Sequence, residues 1–178
     1  MNDYQNIIFM KIGYHSSEDL ESIIKRKKEE DSNGYFYWGY GGTICHPLNQ
    51  VRPFCKDKKV YLLMSITKSK FEGKSIESYC YSINNKDWLP LPDHILVTSS
   101  KYALVCKNLK EVDFDINLND YEVGIGNNKG KSFEEYIGHR IDKGCAIKKK
   151  NSSKDKNNNL INIKYMAELV EPYSVFIK

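Results

Sequence analysis

Hydrophobic and polar positions follow a strand-like pattern along most of the chain. Residues 6–13 and 60–66 are almost continuously apolar, which is typical of buried strands. Residues 112–118 alternate between apolar and polar, so we expect a strand with one wet face. The same reasoning predicts further strands at 77–83, at 95–98 paired with 102–106, at 121–125, and at 160–166 and 170–177 around a hairpin turn at Glu171-Pro172.

A first helix is predicted after the opening strand. Leu20, Ile23 and Ile24 have helical spacing, and a polar run follows them. Ser16 is placed to cap this helix, with Asp19 as the reciprocal acid. The sequence therefore predicts a strand, a capped turn and a helix in its first third.

A second helix is predicted from Ser132. Ser132 and Glu135 have the spacing of a capping box, and the apolar stripe that follows extends to Ile141. Gly144 is expected to end the helix. Together the elements predict an α+β fold with a curved, largely antiparallel sheet of about seven to eight short strands and two main helices.

Composition narrows the class of protein. The chain has 178 residues, of which 40% are hydrophobic, and this predicts a single domain over residues 1–178. We expect no membrane association, because no apolar run is long enough for a span and the N-terminus lacks the pattern of a secretory signal. The five cysteines form no CxxC pair, so we expect a cytoplasmic protein with neither a disulfide framework nor a metal site.

The net charge of +4 is concentrated in one segment. Residues 146–159 contain five lysines and one aspartate, an excess that equals the whole net charge. We interpret residues 148–159 as a mobile basic loop. The rest of the chain is formally neutral, so there is no strong case for binding duplex nucleic acid.

The segment from Tyr35 to Gly42 is the most unusual in the chain. Five aromatic residues in six positions cannot all face one core, because successive side chains of a strand alternate between its faces. The glycines after them let a backbone or a ligand approach closely. We interpret the segment as a ligand-binding surface, with an edge strand buried on both faces and a homo-oligomer interface as alternatives. The residues that we assign to this ligand-binding surface are Tyr37, Trp38, Tyr40, Gly41 and Gly42.

The residues that follow the aromatic segment add polar candidates. Thr43 and His46 are predicted to contribute to the ligand site, and Arg52 could clamp a phosphate with its planar guanidinium. Cys45 and His46 are adjacent, which disfavours a nucleophile–base pair in an extended segment. A surface role is the alternative for Arg52.

The loop at residues 124–132 carries a Gly-Lys-Ser run before the second helix. It is not a P-loop, because that motif needs glycine at the position of Ile125. A glycine-rich turn at a helix N-terminus still suits an anion, so we assign the ligand's phosphate to Lys129, Lys131, Ser132 and Arg140. An ordinary capped helix is the alternative, since acidic residues already occupy its first turn.

The run Gly13-Tyr14-His15-Ser16-Ser17, followed by a helix, resembles the first motif of ADP-ribosyltransferase-like folds. The resemblance covers about the first quarter of the chain. It implies that His15, next to Tyr14, contacts a nicotinamide nucleotide and that Tyr35 or Tyr37 lines the same pocket. We identify no matching late catalytic glutamate.

These candidates favour binding over turnover. The leading hypothesis is a small cytoplasmic protein that binds a phosphorylated, nucleotide-like ligand, sequestering a nucleotide signal as small phage anti-defence proteins do, with no catalytic residue and no cofactor. One alternative is a nucleotide-processing enzyme, either ADP-ribosyltransferase-like or a hydrolase, that uses His15 or His46 with a glutamate. Another is a protein–protein interaction module that uses the aromatic strand. The leading hypothesis requires segments 35–52 and 124–140 to meet in space.

Overall fold

Nine strands and three helices make up the part of the chain that the computed structural model describes, which is residues 3–41, 48–138, 141–151 and 159–178. The strands are β1 Asn6–Ile12, β2 Phe36–Tyr40, β3 Tyr61–Ile66, β4 Cys80–Ser82, β5 Trp88–Pro90, β6 Tyr102–Asn117, β7 Tyr121–Val123, β8 Lys143–Lys148 and β9 Leu160–Ile177. The helices are α1 Leu20–Asp31, α2 Leu48–Cys55 and α3 Phe133–Tyr136, and a 3₁₀ turn at Leu118–Asp120 precedes β7. The prediction of a mixed fold with a large sheet and few helices is confirmed.

All nine strands belong to one open sheet. Its main path is β2-β6-β9-β3-β1-β8-β7, and β4 joins it by pairing with both β5 and β9. Among the described residues, seven of the eight strand pairs are antiparallel. The exception is the parallel pair β1–β3, in which Ile7 lies opposite Tyr61.

Two strands are much longer than the sequence predicts. β6 has 16 residues and β9 has 18, and they pair along their whole lengths. The predicted hairpin at Glu171-Pro172 is wrong. Between Leu169 and Ser174 the register with β6 shifts, so the proline lies in a bulge of one continuous strand, where its missing N–H disrupts no ladder.

The start of α1 differs from the predicted capping. Asp19 is the N-cap, and its carboxylate accepts a hydrogen bond from the Ser22 N–H at 2.8 Å. Ser16 lies outside the helix in a left-handed conformation, with φ of +48°. The acid alone therefore caps the helix, and the serine is left for the turn that precedes it.

The second predicted helix is only four residues long. Ser132 caps α3 as expected, accepting from the Glu135 N–H at 3.5 Å, but the chain after Ile141 forms strand β8. Gly144 lies inside that strand rather than at a helix end. A Cβ there would come within 2.7 Å of the Phe133 ring, so the glycine provides space for α3 to pack on the sheet.

Other local predictions also change. The strand predicted at 77–83 shortens to β4, and Thr98 makes only an isolated bridge with Glu77, so residues 95–98 are not a strand of a hairpin. In 112–118 the predicted alternation is present within β6, since Asp113 and Asp115 are exposed and Ile116 is buried. Helix α2 and strands β5 and β8 were not predicted.

The sheet has a core on each face. On β1, Ile7 and Phe9 pack into one cluster of buried residues, whereas Met10 and Ile12 pack into another. The second cluster also contains Trp38 of β2, although three strands separate β1 from β2 along the sheet. This meeting of distant strands creates the candidate site.

Candidate functional site

A cavity of about 330 Å³ lies where the carboxyl ends of β1 and β2 approach each other. Helix α1, the segments 67–71 and 96–100, and the start of β8 complete its lining. The volume lies at the lower end of the range for small-molecule sites. The cavity therefore fits one small ligand.

A buried ion pair on α1 holds one side of the cavity. The Lys27 ammonium donates to both carboxylate oxygens of Glu30 at 3.0 Å and to the Leu96 carbonyl at 2.8 Å. The Leu96 N–H in turn donates to Glu30 Oε1 at 3.0 Å. Burial lowers the pKa of Lys27, and the nearby Glu30 carboxylate opposes that shift. The pair thereby fixes the segment around Leu96 to the helix.

A glycine in β2 fixes the same segment from the other side. A Cβ on Gly39 would lie 2.8 Å from Val97 Cγ1 and would also meet Ser100. The missing side chain therefore lets residues 97–100 pack directly on β2. We call α1, β2 and residues 95–100 the wall of the cavity.

A tight turn forms the opposite side. His15 and Glu18 exchange two backbone hydrogen bonds of 3.0 Å, and between them Ser16 and Ser17 have φ of +48° and +71°. These left-handed values at both central positions are typical of a type I′ turn. Such a turn places the flanking residues, His15 and Glu18, side by side.

The ring of His15 is held by an aromatic neighbour. It stacks on Phe71 with the ring centroids 4.8 Å apart and the planes 16° from parallel. Backbone hydrogen bonds of Phe71 with Tyr14 and Ser16 keep the two segments together. Burial lowers the pKa of His15, the Glu18 carboxylate raises it, and Lys143 lowers it further. The Glu18 carboxylate also forms an ion pair with Arg26.

Two lysines lie beside this turn. Lys70 Nζ is 5.4 Å from the centroid of the Tyr14 ring. Lys143 lies opposite Met10 in the β1–β8 register, so its side chain is on the cavity face of the sheet. We call residues 14–18, Lys70 and Lys143 the mouth of the cavity.

Positive charge dominates the lining. Acidic residues contribute only Glu18 and Asp142 to it. The basic residues that line the cavity are Lys11, Arg26, Lys27, Lys70 and Lys143.

Several predicted site residues meet at this cavity. Its lining includes Tyr14, His15, Trp38, Tyr40 and Gly41. Trp38 and Tyr40 are only 8% and 5% exposed, so both rings are largely buried in the core and leave little of their surface accessible. The predicted residues Gly42, Thr43, His46 and Arg140, and residues 152–158 of the predicted basic loop, lie outside the described residues.

Tyr37 lies on the other face of β2. It is buried with Ile95, Val97 and Val175, and this burial raises the pKa of its hydroxyl. Because Phe36, Trp38 and Tyr40 are buried on the opposite face, β2 is an edge strand covered on both sides. Tyr37 therefore has a packing role in this structure.

Arg52 is used within the fold. Its Nε and Nη2 donate to the Ser174 carbonyl at 3.0 and 2.7 Å, and the Ser174 hydroxyl lies 2.8 Å from the Tyr40 hydroxyl. Arg52 does not line the cavity. Its position fastens α2 to the bulged part of β9.

The predicted phosphate loop does not reach the cavity either. Lys129, Lys131 and Ser132 are absent from its lining, and Lys131 Nζ donates to Asn128 at 3.0 Å. Segments 35–52 and 124–140 do meet, but at α2, where a Cβ on Gly126 would lie 3.3 Å from Gln50 Oε1.

Sequence reasoning missed the cations that do line the cavity. Lys70 and Lys143 are not part of any local motif, and their positions depend on contacts with Tyr14 and Met10 that are distant in sequence. Glu18 and Arg26 are eight residues apart, and Glu18 lies before α1, so the pair does not have the three- or four-residue spacing of ion pairs within a helix. No local signal identifies these residues.

Other chemistry has less support in the described residues. Cys55, Cys106 and Cys145 are buried, and burial raises the pKa of each thiol, which disfavours the nucleophilic thiolate. No group of three His, Cys, Asp or Glu side chains is arranged to hold a metal within the described ranges. None of the helices described here is long and apolar enough to cross a membrane.

Comparison with known proteins found no matching family model, no matching curated protein and no matching solved structure.

Proposed function

We propose that this protein binds a small phosphorylated, nucleotide-like molecule in the cavity and holds it without turnover. The observation that carries the proposal is the convergence of aromatic rings and basic side chains on one cavity of suitable size. Stacking of a base on an aromatic side chain contributes about 1–3 kcal/mol. Trp38 and Tyr40 of β2 line the cavity together with the rings of Tyr14, His15 and Phe71, and we assign the base to the two β2 residues.

The charge of the lining supports an anionic ligand. Five lysine and arginine residues against two acids give a positive environment in a partly enclosed space. Electrostatic attraction is stronger there than in bulk water, because fewer water molecules screen it. A neutral nucleoside would gain only the stacking contribution, so phosphorylated ligands are favoured.

Sequestration is the role that fits this arrangement best. Arg26 is paired with Glu18 and Lys27 with Glu30, so these side chains stabilise the site instead of moving protons. A cytoplasmic protein that holds a nucleotide signal, as small phage anti-defence proteins do, needs affinity alone. The predicted homo-oligomer stays a prediction.

A nucleotide-processing enzyme is the second candidate. The observation that favours it is the pairing of His15 and Glu18 across the tight turn at the mouth. Burial lowers the pKa of His15, which leaves the imidazole neutral and able to accept a proton near neutral pH. In this alternative, His15 acts as a general base.

Incubation with a panel of nucleosides and nucleotides, followed by ultrafiltration and mass spectrometry, separates these functions. Retention of an unchanged nucleotide supports sequestration, and release of a product supports the enzyme. If the protein retains none of the panel and changes none, both candidates are wrong.

The two tryptophans allow a matched test of the site. In Trp88→Phe, Trp38 is the remaining tryptophan, and we expect its fluorescence to change when a retained nucleotide is added. In Trp38→Phe, the remaining Trp88 lies on β5, outside the cavity lining, and its emission should stay constant. An unchanged signal in Trp88→Phe, with a nucleotide bound, would place the ligand elsewhere.

A further inference from the structure

Apart from Lys11, the basic side chains that line the cavity fall into two groups: cations that hydrogen-bond to a carboxylate of the fold, and cations that do not. We propose that His15, Lys70 and Lys143 form a subsite that binds the phosphate of the ligand, and that His15 binds it in the protonated form. This inference rests on the proposed function and names the position and the ionisation state that the function leaves open.

The first group of cations is already neutralised. Each hydrogen of the Lys27 ammonium has an acceptor, two on Glu30 and one on Leu96. Arg26 is bound to the Glu18 carboxylate. Displacing either partner would leave a carboxylate without its counter-charge in a partly enclosed site, which is costly.

The second group has donors to spare. Among the described residues, the ring nitrogens of His15 have no hydrogen-bond partner, and Lys70 contacts a ring but no carboxylate. Lys143 Nζ lies 3.6 Å from the carboxylate of its chain neighbour Asp142, beyond the usual length of a hydrogen bond. These three side chains can therefore donate to an incoming anion without breaking a buried pair.

The same three residues converge from separate elements. The charge of Lys143 on β8 is close enough to His15 to lower the pKa of the imidazole. Lys70 lies over the ring of Tyr14, the residue before His15, and next to Phe71, on which His15 stacks. The tight turn and the stack hold the imidazole at the mouth, in the same cavity lining as the two lysines.

The charged groups around His15 explain why an anion would favour its protonated form. The charged groups that line the cavity with His15 are Glu18 from the turn, Arg26 and Lys27 from α1, Lys11 from β1, Lys70 from the segment after β3, and Asp142 and Lys143 at the start of β8. Without a ligand, burial and Lys143 keep the imidazole neutral. A bound anion offsets the charge of Lys143 and favours the imidazolium, so binding takes up a proton.

Sulfate is a suitable probe, because its charge does not change near neutral pH. We would titrate the full chain with sulfate at pH 6 and pH 8, following the imidazole resonances by NMR and assigning His15 with the variant His15→Gln. We expect about tenfold tighter binding at pH 6, and a rise of the His15 pKa on sulfate binding. Lys143→Gln and Lys70→Gln should each weaken binding about tenfold.

Lys148→Gln is the matched control, since Lys148 lies on the same strand as Lys143 but pairs with Asp3 away from the cavity. Equal sulfate affinity at both pH values, or equal affinity in Lys143→Gln and Lys148→Gln, would overturn the subsite. Nucleotide retention with no response of His15 would overturn the subsite and leave the proposed function standing. A sulfate response without any nucleotide retention would support the subsite and contradict the proposed function.

Discussion

The charged side chains in the wall of the cavity differ from those in its mouth in burial and in hydrogen bonding. In the wall, Lys27 and Glu30 are 4% and 2% exposed, and the hydrogen-bonding groups of both are satisfied. In the mouth, His15, Lys70 and Lys143 are more accessible, and none is within hydrogen-bond distance of a carboxylate among the described residues. Lys27 and the three cations of the mouth line the same cavity.

This difference distinguishes charged groups that hold the fold together from charged groups that can bind a ligand. A buried ion pair whose hydrogen bonds are complete positions its elements, and removing one partner leaves a desolvated charge. A cation that makes no hydrogen bond to a carboxylate costs little beside a cavity when water reaches it, and it is stabilised when an anion binds. Substitutions in the wall should therefore change stability, whereas substitutions in the mouth should change binding.

Lys27→Met should have the largest effect. It leaves the Glu30 carboxylate buried without its counter-charge, and we expect a loss of about 3–5 kcal/mol in the free energy of unfolding. Urea denaturation measures this loss. The double variant Lys27→Met/Glu30→Leu should recover much of it, because no buried charge then remains.

Lys28→Met is the control for this prediction. Lys28 is half exposed and lies 3.9 Å from an exposed Glu111 carboxylate, so its removal should cost less than about 1 kcal/mol. If Lys27→Met and Lys28→Met unfold at the same urea concentration, the buried pair does not hold the wall.

Gly39→Ala tests the other attachment of the wall. The added Cβ would collide with Val97 and Ser100, and we expect a loss of about 1–3 kcal/mol in the free energy of unfolding, measured by urea denaturation. Gly138→Ala is the control, because a Cβ there meets nothing within 4 Å. Equal stability of the two variants would show that residues 97–100 move away from β2 at little cost.

Several strands of the fold could be predicted from the local pattern of apolar and polar residues. The continuous apolar runs located β1 and β3, and the alternation around Asp113 located the outer half of β6. The structure of 143–148 was not accessible in this way, because β8 exists through its pairing with β1 and through the ring of Phe133 on Gly144. The bulge at Pro172 also depends on β6, which lies far away in sequence.

The sequence likewise predicts part of the candidate site. Aromatic residues and glycines in one short segment indicated Trp38, Tyr40 and Gly41, and the resemblance indicated His15, all of which line the cavity. The predicted phosphate ligands Lys129 and Lys131 do not line it, because the start of their loop lies against α2 and its end is hydrogen-bonded to Val123 of β7. A loop motif reports local donors, whereas the position of a charge relative to a cavity is set by tertiary contacts.

Ser17→Gly should produce a smaller effect in the mouth. Ser17 is exposed with φ of +71°, a conformation that costs less for glycine, so we expect stabilisation of about 0.5–1 kcal/mol. Thermal unfolding measures the change. The exposed Ser75 has no positive φ, and Ser75→Gly should destabilise slightly because glycine adds freedom to the unfolded chain. Destabilisation by Ser17→Gly as well would show that the serine side chain supports the turn.

The smallest expected effect is a dependence of stability on pH through His15. Because burial lowers the pKa of His15 in the folded state, the unfolded chain binds more protons below the ordinary imidazole pKa of 6.5. The stabilisation is thus complete above pH 6.5 and is lost as the pH falls through the lower, folded-state pKa. His15→Gln removes this contribution, so its unfolding free energy should fall less between pH 7 and pH 5.

Lys143→Gln should also flatten the dependence of stability on pH, because it removes a charge that lowers the His15 pKa, whereas Lys148→Gln should not. Sulfate should flatten the dependence in the unsubstituted chain and in Lys148→Gln but not in His15→Gln. A steep, sulfate-independent loss in His15→Gln would assign the titration to another group.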